Sequence, residues 1–274
     1  MSNESGAKLT RGDSFNPDDV EGESVFHPSS SRPDLLVVGC CGFRSSRESY
    51  YSYLNAVEVQ HTFYQPPQVS TLEKWRAEAP ADFVFTVKAW QLITHQSSSP
   101  TYRRLKRELT ETEKARSGSF RSSRIVKEAW ETTRACARAL RAPAILFQCP
   151  ASFQPTRVNL ENLRRFFSKT KRDGLTFCFE PRGRWPREVV RDLCEELDLW
   201  HVVDPFNERT VTPMRCYFRL HGRGGWRYTY EDAELEELLS MLPEDSASYV
   251  FFNNREMLTD AVRFREMAAQ LSRE

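Results

Sequence analysis

The segment Leu175-Thr-Phe-Cys-Phe-Glu180-Pro-Arg182 decides the fold. It is a short run of β-forming residues that closes on a carboxylate and an arginine, and a helix opens directly after it at Trp185-Pro186. In a strand, the side-chain period of two puts Thr176, Cys178 and Glu180 on one face and Phe177 and Phe179 on the other. An α/β barrel keeps its chemistry on charged residues at the C-terminal ends of such strands, with helices covering the opposite face. The pattern recurs. Leu35-Leu-Val-Val38, Ala56-Val-Glu58-Val-Gln60, Phe83-Val-Phe-Thr-Val-Lys88, Ala144-Ile-Leu-Phe-Gln148, Trp200-His-Val-Val-Asp204, Cys216-Tyr-Phe-Arg219-Leu-His221 and Ser248-Tyr-Val-Phe-Phe-Asn253 read as further strands. The second is expected to continue through His61-Thr-Phe-Tyr64 to the stop at Pro66-Pro67. Helical patterns follow most strands. Ser70 and Glu73 predict a capping box, and Ile125, Ala129, Thr133 and Ala137 recur one turn apart over residues 123–140. Eight strands alternating with helices in 274 residues predict an α/β protein, a single TIM-like (β/α)8 barrel.

Two segments fall outside that alternation. Residues 1–33 are rich in Ser, Asn, Asp, Glu and Pro without periodicity, a composition that predicts a disordered tail ahead of a barrel over 34–274. After the third strand, residues 97–122 form a Ser-rich and basic insertion; nine Lys or Arg face three acids between Arg103 and Lys127. Loops that follow strands leave a barrel at its C-terminal mouth, so the insertion is expected over that mouth as a solvated helix or flexible lid.

Global composition excludes several classes. A net charge of +1 gives no general attraction to nucleic acid or an anionic membrane. No apolar run approaches the length of a membrane span, and no basic-then-apolar leader opens the chain. Seven cysteines without a CxxC pair predict buried reduced thiols and a cytoplasmic protein, with Cys40-Cys41 as small residues near a strand end.

Giving each strand one inward face collects a polar set at the C-terminal ends: Glu58, Gln60, Thr86, Lys88, Gln148, Glu180, Asp204, Arg219, His221, and Asn253 or Asn254. The residues between them (Val57, Val59, Phe85, Val87, Phe177, Phe179, Phe218, Leu220) are apolar, as helix-covered positions should be. Three acids against Lys88, Arg182 and Arg219 nearly balance, so part of the set is expected to pair internally.

Three readings of the mouth follow. In the first, Lys88, Arg182 and Arg219 hold the phosphate or carboxylate of a small anionic or polyhydroxy substrate. Glu180 and Asp204 are then the acid and base candidates and His221 a proton relay, for hydrolase, lyase or isomerase chemistry without a cofactor. In the second, His95, Glu180, Asp204 and His221 hold a divalent metal, against which stand the interleaved cations and the absence of HxH or HExxH spacing. In the third, the basic 103–127 segment tracks nucleic-acid phosphates. Composition leaves the oligomeric state open.

Taken together, Val57-Glu-Val-Gln-His-Thr-Phe-Tyr64, Phe83-Val-Phe-Thr-Val-Lys88, Ile93-Thr-His95, Leu146-Phe-Gln148, Phe179-Glu-Pro-Arg182 with Trp185, Arg219-Leu-His-Gly222, Tyr228 with Tyr230, and Phe251-Phe-Asn-Asn254 resemble the DUF72 (YecE-like) family, in order along the domain. The resemblance implies a TIM-like barrel whose polar strand ends form a shared site, and it carries no established reaction. Within that site Gln60, His61, Tyr64, His95, Gln148, Asn253 and Asn254 join the substrate-binding candidates. Three departures mark this chain. Gly39-Cys-Cys-Gly-Phe43 replaces a longer Gly-Thr-Ser-Gly-Trp loop, Gln60-His61 stands for Asn-Ser, and Gly183 stands where a histidine usually follows the arginine.

Overall fold

A computed structural model of the chain describes residues 36–271. Eight parallel strands close on one another in chain order into a barrel. They are β1 Leu36–Cys40, β2 Ala56–Val59, β3 Val84–Lys88, β4 Ala144–Gln148, β5 Thr176–Glu180, β6 Trp200–Val203, β7 Cys216–Leu220 and β8 Ser248–Phe252. The helices in chain order are α1 Arg47–Tyr53, α2 His61–Tyr64, α3 Val69–Glu78, α4 Gln91–Thr94, α5 Glu111–Arg116, α6 Arg124–Leu140, α7 Arg157–Lys169, α8 Arg187–Glu196, α9 Asp232–Ser240 and α10 Met257–Leu271, with a 3₁₀ turn at Pro100–Arg104. The expected disordered tail, residues 1–33, lies outside the described residues.

Strand parity sorts the core into two shells. Phe177 and Phe179 point outward and pack with Phe147, Phe167, Val190 and Leu193 beneath the helices. Each such ring is worth about 1.5–3 kcal/mol of apolar burial. Inside the barrel, Ala56, Ala144, Leu146, Cys178, Tyr217 and Phe251 form a smaller apolar layer. That layer fills the lower interior and leaves the polar side chains at the strand ends. All seven cysteines are buried and unbridged. Among the described residues no helix is long and apolar enough to cross a membrane.

Three local expectations change. The β2 strand stops at Val59, and His61–Tyr64 turns into α2. Thr62 explains the turn: its hydroxyl donates to the carbonyls of Val59 (2.9 Å) and Lys88 (2.7 Å), tying the bend to β3. Helix α3 begins at Val69 behind Gln68 without a side-chain cap, so Ser70 lies inside the helix and forms no capping box. Ile93-Thr-His95 runs through the short helix α4 and its C-cap.

The third change concerns the insertion, which is packed against the barrel. Gly118, Ser119 and Phe120 donate their backbone N–H groups to Leu92, Thr94 and Ile93 carbonyls at 2.8, 3.2 and 2.9 Å. Phe120 is buried against Phe147, Phe153, Phe166 and Phe167. A true capping box opens α5, where Thr110 and Glu113 bond reciprocally. The segment nevertheless lies at the expected end. Arg104 stacks 3.8 Å over the Tyr64 ring, and the Tyr102 hydroxyl donates to the His95 carbonyl at 2.8 Å. Both of those residues follow strand C-termini.

Candidate functional site

The polar strand ends separate into a closed lower layer and an open rim. Arg219, from β7, is the centre of the lower layer and only 1% exposed. Its Nη2 and Nε donate to the two oxygens of Glu58 at 2.9 and 3.1 Å, a bidentate pair. Its Nη1 donates to Glu180 Oε2 at 2.7 Å, and Nη2 also faces Cys41 Sγ at 3.4 Å. The Tyr217 hydroxyl donates to Glu58 Oε2 at 2.7 Å and lies 2.9 Å from the Thr86 hydroxyl. The Gln60 amide closes the remaining side of Glu58. A buried arginine between two carboxylates is a satisfied network of high internal order.

Glu180 joins the two layers. While Oε2 faces down to Arg219, Oε1 accepts from Arg182 Nε at 3.0 Å and lies 2.8 Å from its Nη2. Burial alone would raise its pKa; the Arg219 and Arg182 guanidinium groups, with His221 and Lys88, outweigh burial and hold it at about 2. At neutral pH Glu180 is therefore an anion and not a proton donor.

Above it the rim is open. The Arg182 side chain is 39% exposed, and its Nη2 lies 2.7 Å from Nε2 of His221. Because guanidinium only donates, Nε2 is the acceptor and the imidazole proton sits on Nδ1, 3.7 Å from Asp204 Oδ2. Asp204 is fixed by backbone: Oδ2 accepts the His221 N–H at 2.8 Å and Oδ1 that of Phe206 at 3.2 Å. Gly222 makes the turn after His221 possible. It holds φ at +87°, and a Cβ there would lie 2.4 Å from the Gly225 carbonyl oxygen. Gly183, after Arg182, holds φ at +97°, so any side chain there would be strained in this loop.

Lys88 and His95 line the β3 side. Lys88 Nζ lies 4.2 Å over the Phe63 ring and 3.5 Å from Gln60 Oε1. Burial, then the nearby Arg219, bring its pKa down to about 8, against the pull of Glu58 and Glu180. His95 is buried, with Nδ1 2.7 Å from the Thr94 hydroxyl. Burial first, then Lys88 and Arg182, lower it to about 3, so its ring is neutral.

The other candidates make different contacts. Gln148 ends β4 half-buried, in register with Glu180. Asn253 is half-buried after β8, where its backbone N–H donates to the Leu220 carbonyl at 2.8 Å. Tyr64 lies under Arg104. His61, a candidate by resemblance alone, is exposed at the start of α2 and packs edge-on to Trp75. Asn254 is buried on the loop side, donating to Tyr228 O (2.8 Å) and Asp260 Oδ2 (2.6 Å), which makes it a brace for the β7–α9 connection. Tyr217, Cys41 and Phe63 were absent from the candidate set. Tyr217 shares the parity of Arg219, a signal that could have found it; nothing in the sequence singles out Cys41 or Phe63.

A metal does not fit this donor set. Among the described residues no three His, Cys, Asp or Glu side chains group as ligands. The guanidinium of Arg219 already occupies the space between Glu58 and Glu180 where a cation would bind. The insertion's cations are partly committed as well: Arg107 pairs with Glu113 and Glu128, Lys114 with Glu111, and Arg124 with Glu128.

Fold and strand ends together define a TIM barrel with a polar, internally braced mouth. The model of the family described as "Protein of unknown function DUF72" matches residues 41–274, and the chain belongs to that family. A DUF72 family protein from Enterococcus faecalis has a similar structure, with a TM-score of 0.66 at 22% identity over 86% of this chain and 98% of that one. Another from Thermotoga maritima gives 0.58 at 21% identity over 86% and 99%. An AP endonuclease, family 2, from Brucella melitensis gives 0.53 at 10% identity over 85% and 97%, a likeness of fold alone. No curated protein matches the chain.

Proposed function

We propose that the rim binds a small anionic substrate, phosphorylated or carboxylated, and acts on it by acid–base chemistry. One observation carries this reading. The Arg182 guanidinium stands 39% exposed at the mouth, pre-oriented by a buried carboxylate and touching the imidazole of an Asp–His pair. Glu180 aims the fork, and the fork remains open to a planar anion on its outer side. His221 is the base candidate, and Asp204 accepts its backbone N–H with Oδ2 3.7 Å from Nδ1. An anion that draws Arg182 Nη2 toward itself releases His221 Nε2, so substrate binding and base exposure are coupled. Glu180, ionised and doubly paired, serves here as the positioning group in place of the acid–base role its sequence position suggests.

Thermal unfolding in the presence of inorganic phosphate, pyruvate, glycerol phosphate and uncharged glycerol tests the reading. A ligand that binds the folded state alone raises Tm with concentration. Wild type should respond to one or more anions and Arg182→Met to none. Equal responses to glycerol and to the anions, unchanged in Arg182→Met, would remove the anion site.

A further inference from the structure

We infer that Lys88 is a nucleophilic amine that condenses with the carbonyl carbon of a small anionic carbonyl compound, such as a 2-oxo acid or a phosphorylated ketone, to form an imine at the mouth. For the anionic part of the ligand this inference rests on the reading above; the amine chemistry stands on Lys88 itself. Lys88 is the last residue of β3, at the end of the barrel where the rim opens, and it is 5% exposed. The other six lysines among the described residues (Lys74, Lys106, Lys114, Lys127, Lys169 and Lys171) are exposed.

A buried lysine kept for structure has a carboxylate partner, because an unpaired buried cation is costly. Lys88 has none within ion-pair distance among the described residues; Arg219 takes Glu58 and Glu180 instead. Its hydrogen bond to Gln60 Oε1 spans 3.5 Å, the limit of such a bond. The groups that face it are Arg219 from β7, Glu58 from β2, Glu180 from β5, Cys41 after β1, and the neutral His95. The cation beside it and its burial favour the free amine, the environment that activates a lysine for Schiff-base chemistry. The Phe63 ring 4.2 Å away walls the amine off from bulk water on one side.

The reaction balances without a co-reactant. The nitrogen lone pair attacks the carbonyl carbon, and the C=O π pair moves to oxygen, which takes up a proton as the ammonium loses one. The carbinolamine oxygen then takes up the remaining N–H proton and leaves as water while the nitrogen lone pair forms C=N. One water leaves and nothing is oxidised or reduced.

Reductive trapping reads this directly. The full chain is incubated with pyruvate or with uncharged glycolaldehyde and sodium cyanoborohydride, digested, and mapped by mass spectrometry. The expected result is a saturable pyruvate adduct on the Lys88 peptide, formed at least tenfold faster than on the exposed lysines and rising with pH through about 8. Lys88→Met and Lys88→Arg should abolish it, and if either fails to fold the wild-type map still decides. Labelling confined to the exposed lysines overturns the inference; if phosphate still stabilises wild type and not Arg182→Met, the anion reading survives that failure. Equal labelling of Lys88 by glycolaldehyde and pyruvate, unaffected by Arg182→Met, supports the amine and removes the anion.

Discussion

The lower layer and the rim are built from the same chemistry, the rim at or just beyond the ends of the strands, and differ in how completely each group is satisfied. Arg219 in the lower layer spends its fork on Glu58 and Glu180, with Tyr217 and Thr86 completing the carboxylate's shell. Arg182 in the rim spends one side on Glu180 and His221 and keeps the rest in solvent. Among the described residues Lys88 has no carboxylate within ion-pair distance, although Glu58 and Glu180 face it. A closed network of buried charges specifies structure, whereas open or underpaired charge at a barrel mouth is available to a ligand. Position on the strand therefore separates scaffold from site more sharply than residue type does.

The largest effect is expected in the lower layer. Glu58→Gln replaces the bidentate partner of Arg219 by a neutral amide and leaves a buried guanidinium with one carboxylate. Breaking such a pair costs about 3–5 kcal/mol, which for a domain of this size lowers Tm by about 10 °C. Thermal and urea unfolding measure it. A loss below about 1 kcal/mol would dissolve the distinction between the layers.

Glu180 belongs to both layers, and pH separates its contributions. Its folded pKa of about 2 lies below the ordinary 4.5, so the unfolded chain binds a proton that the folded chain does not. The stability it contributes is present above pH 4.5 and is lost as pH falls from there toward 2. Glu180→Gln removes that limb. The variant should be about 2–3 kcal/mol less stable at pH 7, and the two unfolding curves should converge near pH 2. Because Arg182 is then released from its anchor, anion-induced stabilisation should weaken as well. Unchanged anion binding in a destabilised variant would assign Glu180 to the lower layer alone.

Lys88 carries the opposite sign. Its folded pKa of about 8 lies below the ordinary 10.5, and between those values the unfolded chain holds the extra proton. Wild-type stability therefore gains from this residue as pH rises from 8 to 10.5. Lys88→Met keeps the stem over Phe63 and removes the buried cation, so at pH 7 the variant should be about 1–2 kcal/mol more stable than wild type. The difference should shrink between pH 8 and 10.5. A variant less stable than wild type at pH 7 would place Lys88 among the scaffold residues.

The same contrast explains what could be read in the sequence. Within a strand, alternation is enforced by the pleat, so Glu58, Lys88, Glu180 and Arg219 are inward as their parity requires, and Phe177, Phe179 and Phe218 outward. Tyr217 obeyed the same rule and went unnoticed because a tyrosine reads as core until its hydroxyl partners are known. Beyond a strand end the period of two lapses. Thr62 bonds back to Val59 and Lys88 and folds His61–Tyr64 into α2, and Asn254 braces Tyr228 and Asp260. Polar composition misread the insertion for a related reason. A single Phe120 in a charged run has no periodicity to announce it, yet it anchors the segment in an aromatic cluster.

The smallest effect is expected at that insertion. Arg104 stacks 3.8 Å over Tyr64 at a surface position, where a cation–π contact contributes about 0.5–1 kcal/mol. Arg104→Ala should cost no more than that in unfolding free energy. Its value lies in the binding assay. If the mouth's affinity for anions comes from Arg182 on the barrel, removing Arg104 leaves phosphate or pyruvate stabilisation unchanged within a factor of two. If it comes from the insertion's cations acting together on a polyanion, Arg104→Ala weakens binding of single-stranded DNA and lessens its salt dependence, since each lost phosphate contact lowers the salt slope by about 0.7. Titrating both proteins with phosphate and with an oligonucleotide at two salt concentrations separates the outcomes. A DNA affinity that falls with Arg104→Ala while Arg182→Met leaves it intact would move the ligand site from the rim to the insertion.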